Sequence, residues 1–110
     1  MSDLTRTTHA HLVEMRKLID TPEKWTKKCY ARTALGAPTS YEDTQATCFC
    51  ILGALNRVTA GKPLPGEVAE IKRHLPYCFE FITLDQFNDC PTTTHADILA
   101  LLDRAIEGTK

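Results

Sequence analysis

The sequence predicts a mainly α-helical fold, a small single-domain bundle of helices around one buried central helix. The longest apolar run, residues 48–55, lies within a segment of about residues 41–60 that carries helix signals at both ends. A helix that is apolar on all sides is usually surrounded by other elements. Apolar residues also recur at helical spacing before and after this segment. Only residues 28–40 depart from helical periodicity, and their pattern is compatible with a short β-hairpin.

The first predicted helix covers about residues 8–19, where Leu12, Met15 and Ile19 recur on one side. Charged residues occupy the other side, so this helix is expected to pack on the core as an amphipathic element. The preceding residues 1–7 are polar and are expected to be flexible.

A short turn and a hairpin are predicted next. Pro22 suits the first position of a helical turn. Trp25 follows this turn, and we interpret it as a core anchor. Within residues 28–40, Gly36 and Pro38 mark the bend of the hairpin. Because an isolated two-stranded hairpin is only marginally stable, it is expected to pack on helices.

The central helix is predicted to end near residue 60, because Gly61 can take the left-handed conformation that closes a helix. Gly53 lies inside this helix and costs about 1 kcal/mol relative to alanine, so a packing reason is expected. We expect a close approach there, from a neighbouring helix or from the ring of Trp25. The predicted core residues are Phe49, Cys50, Gly53, Leu55 and Phe87.

Three further helices are predicted after the central one. They cover about residues 66–75, 84–88 and 94–108, and the second of them begins with a capping box at Thr83. Before that capping box, residues 77–82 are dense in aromatic side chains and are compatible with an extended segment or a helical turn. Four helices would then surround the central one.

Length and composition indicate one soluble globular domain over residues 1–110. Hydrophobic residues make up 43% of the chain and charged residues 25%, close to the averages for globular proteins. The formal net charge of −1 provides no overall attraction to nucleic acid or to an anionic membrane. No apolar run reaches the roughly 18 residues of a membrane span, and the N-terminus lacks the apolar core of a signal peptide. We therefore expect a cytoplasmic protein whose five cysteines are reduced thiols.

No metal, cofactor or catalytic site is predicted. Cys48 and Cys50, two positions apart on a helix, would point about 200° apart and could not bind one metal ion together. The four histidines show no spacing that pairs one of them with a cysteine as a base. We therefore interpret the central cysteines as small apolar packing residues.

Asn88 and Asp89 form the most informative polar pair in the sequence, shortly before Pro91. Both side chains are common in turns and caps, which favours a structural joint between two helices. The alternative is a polar pocket with an aromatic wall, lined by Asn88 and Asp89 together with Trp25 and Arg32. Such a pocket would hold a small ligand.

Two short motifs and their spacing resemble a known family. Residues 49–55 contain an aromatic residue and a cysteine, followed after two positions by Gly-Ala-Leu. Residues 87–89 form an aromatic-Asn-Asp triplet before a helix rich in leucine and alanine, and Trp25, Arg32 and Gly36 also match. These features resemble an uncharacterised family of small bacterial and bacteriophage proteins, known as a domain of unknown function. The resemblance implies a small, mainly helical protein of bacterial or phage origin, without an established activity.

The favoured function is a small, non-enzymatic protein-interaction module. It would be a phage- or prophage-derived accessory or inhibitory protein that binds a host or phage protein, with a homo-oligomer as a further option and no membrane partner. One alternative is a nucleic-acid-binding accessory protein that uses the basic and aromatic face from Arg16 to Arg32. The other alternative is a small-ligand or weakly enzymatic domain around Asn88 and Asp89.

Overall fold

The computed structural model describes residues 3–76 and 82–110, which contain five α-helices and a three-stranded antiparallel sheet. The fold is therefore mixed α/β, and the prediction of a mainly α-helical bundle is wrong. In chain order the elements are α1 (Asp3–Leu18), a 3₁₀ turn (Pro22–Lys24), β1 (Ala31–Thr33), β2 (Pro38–Thr39), β3 (Ala46–Phe49), α2 (Ile51–Thr59), α3 (Glu67–Lys72), α4 (Leu84–Asp89) and α5 (His95–Gly108).

The sheet has the order β2-β1-β3, so β1 is its central strand. Ala31 of β1 lies opposite Thr39 on one side and opposite Phe49 on the other. The hairpin predicted near residues 28–40 is present as β1 and β2. Its turn places Gly36 at a φ of 84°, a left-handed conformation that glycine adopts without the Cβ penalty of other residues.

The predicted central helix of residues 41–60 is correct only in its second half. Ala46–Phe49 forms β3, and the helix begins at Ile51. An apolar run of this length does not distinguish a strand from a buried helix, and here pairing with β1 selects the strand. Because Cys48 lies in β3 and Cys50 is the N-cap of α2, the argument from helical spacing of the two cysteines does not apply.

Other helix boundaries also differ from the predictions. α1 begins at Asp3, so residues 3–7 form its first turns. The helix predicted over residues 66–75 is shorter, because α3 ends at Lys72. The capping box at Thr83 is confirmed. For the aromatic stretch, the sequence was compatible with an extended segment or a helical turn. Residues 77–81 of this stretch lie outside the described part of the chain.

The core forms where α1 packs against both α2 and α5, with α2 also contacting α4 and β3. α2 thus contacts two helices and one strand of the sheet. The five predicted core residues are all buried, namely Phe49, Cys50, Gly53, Leu55 and Phe87. The largest other buried side chains are Leu12, Met15, Ile19, Ile51, Ile71, Leu84, Ile98, Leu101 and Leu102.

A polar contact fixes α3 on α1. The Glu67 side chain is buried, and its Oε2 lies 2.6 Å from His11 Nδ1. Its other oxygen, Oε1, accepts a hydrogen bond of 2.7 Å from the Leu64 amide. Since a buried carboxylate is costly unless it is hydrogen-bonded, these two partners determine where α3 can lie.

Gly53 allows the strand segment and α2 to touch. A Cβ atom at this position would lie 1.9 Å from the Tyr30 carbonyl oxygen, well inside any normal contact. The expected close approach is therefore present, but its partner is the backbone just before β1. The expectation of a neighbouring helix or of the Trp25 ring at this position is wrong.

Gly53→Ala should lower the free energy of unfolding by about 3 kcal/mol, because the added Cβ overlaps the Tyr30 carbonyl and forces the backbone apart. Urea denaturation followed by circular dichroism measures the change. Gly36→Ala is the matched control, since nothing lies within 4 Å of a Cβ there and only the positive φ opposes the substitution. Gly36→Ala should lower the free energy of unfolding by about 1 kcal/mol. Equal losses for the two variants would contradict the close contact.

Candidate functional site

Asn88 joins three parts of the chain and is completely buried, with 0% of its surface exposed. Its Oδ1 accepts hydrogen bonds from Trp25 Nε1 (2.7 Å) and from the Ile51 amide (3.0 Å). Its Nδ2 donates to the Thr26 carbonyl (3.1 Å) and to Asp89 Oδ1 (3.0 Å). All four hydrogen-bonding positions of the amide are used, so this side chain has none left for a ligand.

Asp89 stabilises a turn that would otherwise be unfavourable. Lys28 has a φ of 70°, and a non-glycine residue in this left-handed region costs about 1–2 kcal/mol. Asp89 Oδ1 accepts a hydrogen bond of 2.8 Å from the Lys28 amide, which holds the turn in place. Within the described residues, both hydrogen bonds that Asp89 accepts go to its Oδ1 atom.

Arg32 lies apart from this group and braces the hairpin. Its guanidinium donates to Thr26 Oγ1 (2.9 Å), to the Gly36 carbonyl (3.0 Å) and to the Lys27 carbonyl (3.3 Å). The structure therefore brings Trp25, Asn88 and Asp89 together, whereas Arg32 makes its contacts with the loop and the hairpin turn.

A surface cavity of about 240 Å³ lies beside Asp89. Tyr30 is half-exposed at its wall, and Asp85 projects from the first turn of α4 without an ion pair or hydrogen bond to any described residue. The spacing of Asp85 and Asp89, one helical turn apart, is a sequence signal that could have indicated this wall. The lining residues are Lys28, Cys29, Tyr30, Cys50, Leu52, Asp85 and Asp89.

The cysteine environments differ strongly. Burial raises the pKa of the Cys50 thiol, and hydrogen bonds from the Gly53 and Leu52 amides act in the opposite direction. The hydrogen bond to Thr92 lowers the pKa of the Cys90 thiol. In the described part of the chain, no three His, Cys, Asp or Glu residues are arranged to hold a metal ion.

Residues 34–38, which we call the hairpin tip, form an exposed apolar surface. Leu35 is 97% exposed, the largest value among the exposed hydrophobic side chains of the described residues. The turn is held by hydrogen bonds of 2.9 Å from the Thr33 amide to the Ala37 carbonyl and from the Gly36 amide to the Thr33 carbonyl. Together with the guanidinium of Arg32, these bonds make the tip a fixed protrusion that sequence reasoning did not identify as a site.

The basic residues of the first third of the chain are mostly engaged. Arg16 Nε lies 2.8 Å from Asp103 Oδ1 on α5. Lys27 Nζ donates to the Cys90 carbonyl (2.7 Å) and lies 5.4 Å from the centre of the Trp25 ring. The ring of Trp25 is thus covered on one side by a lysine and held at its Nε1 by Asn88, which limits its use for stacking.

The comparisons with known proteins give a family and no individual relative. A family model described as a family of unknown function, DUF6197, matches residues 3–108. No curated protein and no solved structure matches the chain. Within the described residues, no helix has the length and apolar character that crossing a membrane requires.

Asn88→Ala should lower the free energy of unfolding by at least about 2 kcal/mol, because it leaves the Trp25 Nε1 and Ile51 amide donors without an acceptor. Urea denaturation measures this loss, and Trp25 fluorescence reports the altered surroundings of the ring. Asn56→Ala serves as the control, since Asn56 Nδ2 donates to the Leu52 carbonyl within its own helix. A loss no greater than that of the control would show that Asn88 does not hold the joint.

Proposed function

Since the chain belongs to DUF6197, a family of unknown function, we propose its role from its own residues: it is a small, non-enzymatic protein-interaction module. Its partner would bind the hairpin tip. The observation that carries this proposal is the nearly complete exposure of Leu35 on a braced turn. A leucine held out into water is unfavourable for the isolated protein, and contact with a partner removes this penalty.

The energetics of the tip favour binding. Complete burial of a leucine side chain contributes about 1.5–3 kcal/mol. The backbone of the tip is already fixed by the Arg32 guanidinium and by the hydrogen bonds of the turn, so little conformational entropy is lost when it binds. A single anchor of this kind gives a weak contact on its own, and neighbouring surface must add to it.

The uncharged, apolar character of the hairpin tip favours a protein as the partner. Residues 34–38 carry no charge, so they offer nothing to a phosphate backbone. A single leucine also provides far less apolar surface than stable attachment to a membrane requires. The matching surface is therefore an apolar pocket of leucine size on another protein.

The proposal extends to the setting of the protein. We propose a host or phage protein as the partner, an accessory or inhibitory role, a phage or prophage origin and a cytoplasmic location, and the family resemblance supports the phage setting. A second copy of this chain is the alternative partner. The nucleic-acid alternative finds less support, because Arg16 and Lys27 already have partners within the chain.

A second candidate function is the binding of a small organic cation in the 240 Å³ cavity. Asp85 and Asp89 both line the cavity, and their two carboxylates outnumber the single lysine of the lining, Lys28. Tyr30 adds an aromatic face, which attracts cations. The volume suits a ligand smaller than a typical drug molecule.

Leu35→Ser should weaken partner binding at least about tenfold, because it removes the apolar anchor while leaving every buried contact of the fold intact.

A photo-crosslinking residue at position 35 first identifies the protein that touches the tip in producing cells. The same residue at position 100, on the exposed face of α5, controls for chance encounters.

Binding of the identified partner is then measured with purified wild-type, Leu35→Ser and Leu4→Ser proteins. Leu4 is another exposed leucine, on α1, and its substitution should leave the affinity unchanged. Equal weakening by both variants, or none by Leu35→Ser, would contradict the proposal. Crosslinking of the chain to itself would identify a second copy as the partner.

The cavity candidate predicts weak, saturable binding of cadaverine, with NMR shift changes confined to the amides of Tyr30, Leu52 and Asp85. Asp85→Asn should reduce the affinity several-fold, because it removes one attracting charge. Asp103→Asn, on α5 and paired with Arg16, is the matched control and should have no effect. Equal binding of 1-pentanol, which has no charge, would rule out a cation site.

A further inference from the structure

Two thiols line the same cavity. Cys29 is half-buried, and its Sγ lies 3.7 Å from the Lys27 carbonyl oxygen. Cys50 is 5% exposed and caps α2, where its Sγ accepts a hydrogen bond of 3.2 Å from the Gly53 amide. Both side chains belong to the wall of the 240 Å³ space, which opens to solvent.

The backbone brings the two cysteines into adjacent segments. The Cys50 amide donates a hydrogen bond of 3.1 Å to the carbonyl of Tyr30, the residue that follows Cys29. The absence of a side chain at Gly53 permits this approach. The turn at Lys28 and the first turn of α2 are therefore neighbours, and Asn88 and Asp89 of α4 bond to both of them.

We propose that Cys29 and Cys50 form a modification site that a peroxide oxidises to a disulfide. In the first step the Cys29 thiolate attacks one oxygen of hydrogen peroxide, the O–O bond breaks, and Cys29 sulfenic acid and hydroxide form. In the second step the Cys50 sulfur attacks the sulfenic sulfur, and the S–OH oxygen leaves with the thiol proton as water. In total, two thiols and one hydrogen peroxide give one disulfide and two water molecules.

The surroundings of the two thiols indicate which one reacts with peroxide and which one then forms the disulfide. Cys29 is the more accessible sulfur and reacts first, since oxidation follows exposure. Burial keeps the Cys50 thiol protonated, because it raises the pKa of this group. Cys50 therefore reacts little with free peroxide and acts as the resolving thiol once a sulfenic acid forms beside it. A thiolate at Cys29 raises the pKa of the Cys50 thiol further.

The other described cysteines lie outside this arrangement. Cys48 is in β3, with its Sγ 4.0 Å from the Arg32 carbonyl, and it does not line the cavity. Cys90 follows α4, and its thiol is engaged with Thr92 at 3.3 Å. Closure of the bond would join the turn at Lys28 to α2 and enclose the whole hairpin in one loop, which restricts the unfolded chain.

The test uses the full chain, reduced and then treated with hydrogen peroxide. Disulfide formation lowers the intact mass by about 2 Da, and dithiothreitol restores it. Non-reducing peptide mapping should find Cys29 joined to Cys50 in the wild-type protein. The matched controls Cys48→Ser and Cys90→Ser should form the same bond at the same rate.

Cys29→Ser should abolish the bond. Cys50→Ser should leave a Cys29 sulfenic acid that dimedone traps, whereas the wild-type protein should give little of this adduct because Cys50 consumes the sulfenic acid; equal trapping in both proteins would show that Cys50 is not the resolving thiol. Circular dichroism verifies that both variants are folded, and the wild-type peptide map tests the pairing without any substitution. A disulfide that joins Cys90 or Cys78 to another cysteine, oxidation of Cys29 beyond the sulfenic acid in the wild type, or no reaction would each overturn the proposal.

Discussion

The fold depends on the contact between the Tyr30 carbonyl and the first turn of α2. This oxygen accepts the Cys50 amide hydrogen bond and occupies the space that a side chain at Gly53 would fill. Since β1 begins one residue after Tyr30, the contact connects the sheet directly to the central helix. The helix amides at this end are buried and need acceptors, and a carbonyl from another segment provides one of them. The sheet and α2 therefore cannot be positioned independently.

The same helix end explains the role of Asn88 and the origin of the cavity. The Ile51 amide donates to Asn88 Oδ1, and the Gly53 amide donates to the Cys50 thiol. Three acceptors from three different segments thus meet at the first turn of α2. They come from Tyr30 just before β1, from Asn88 of α4 and from the N-cap residue Cys50. The cavity lies beside this end of the helix and is lined by residues of the same three segments. Of the four residues that the sequence suggested for a pocket, Trp25, Arg32, Asn88 and Asp89, only Asp89 lines this cavity.

Local signals in the sequence were sufficient for features that depend on neighbouring residues. The capping box at Thr83, the left-handed residue Gly61 at the end of α2 and the turn at Gly36 are of this kind. β3 was missed because its selection over a longer helix depends on pairing with β1, a partner more than ten residues away in the chain. The cavity was only partly anticipated for the same reason. Asp89 was identified, but Cys29 and Leu52 reach the wall through tertiary contacts that no spacing reveals.

The distribution of polar contacts separates residues that maintain the fold from those that remain available to a partner. Trp25, Arg32 and Asn88 have the composition of a binding site, yet their hydrogen-bonding groups contact other parts of the same chain. A side chain whose donors and acceptors are already satisfied gains little from a ligand, because each new bond replaces an existing one. Recognition is more favourable for groups that the fold leaves exposed to water. On this criterion Leu35 at the hairpin tip and Asp85 at the cavity are better placed for function than the polar residues that stand out in the sequence.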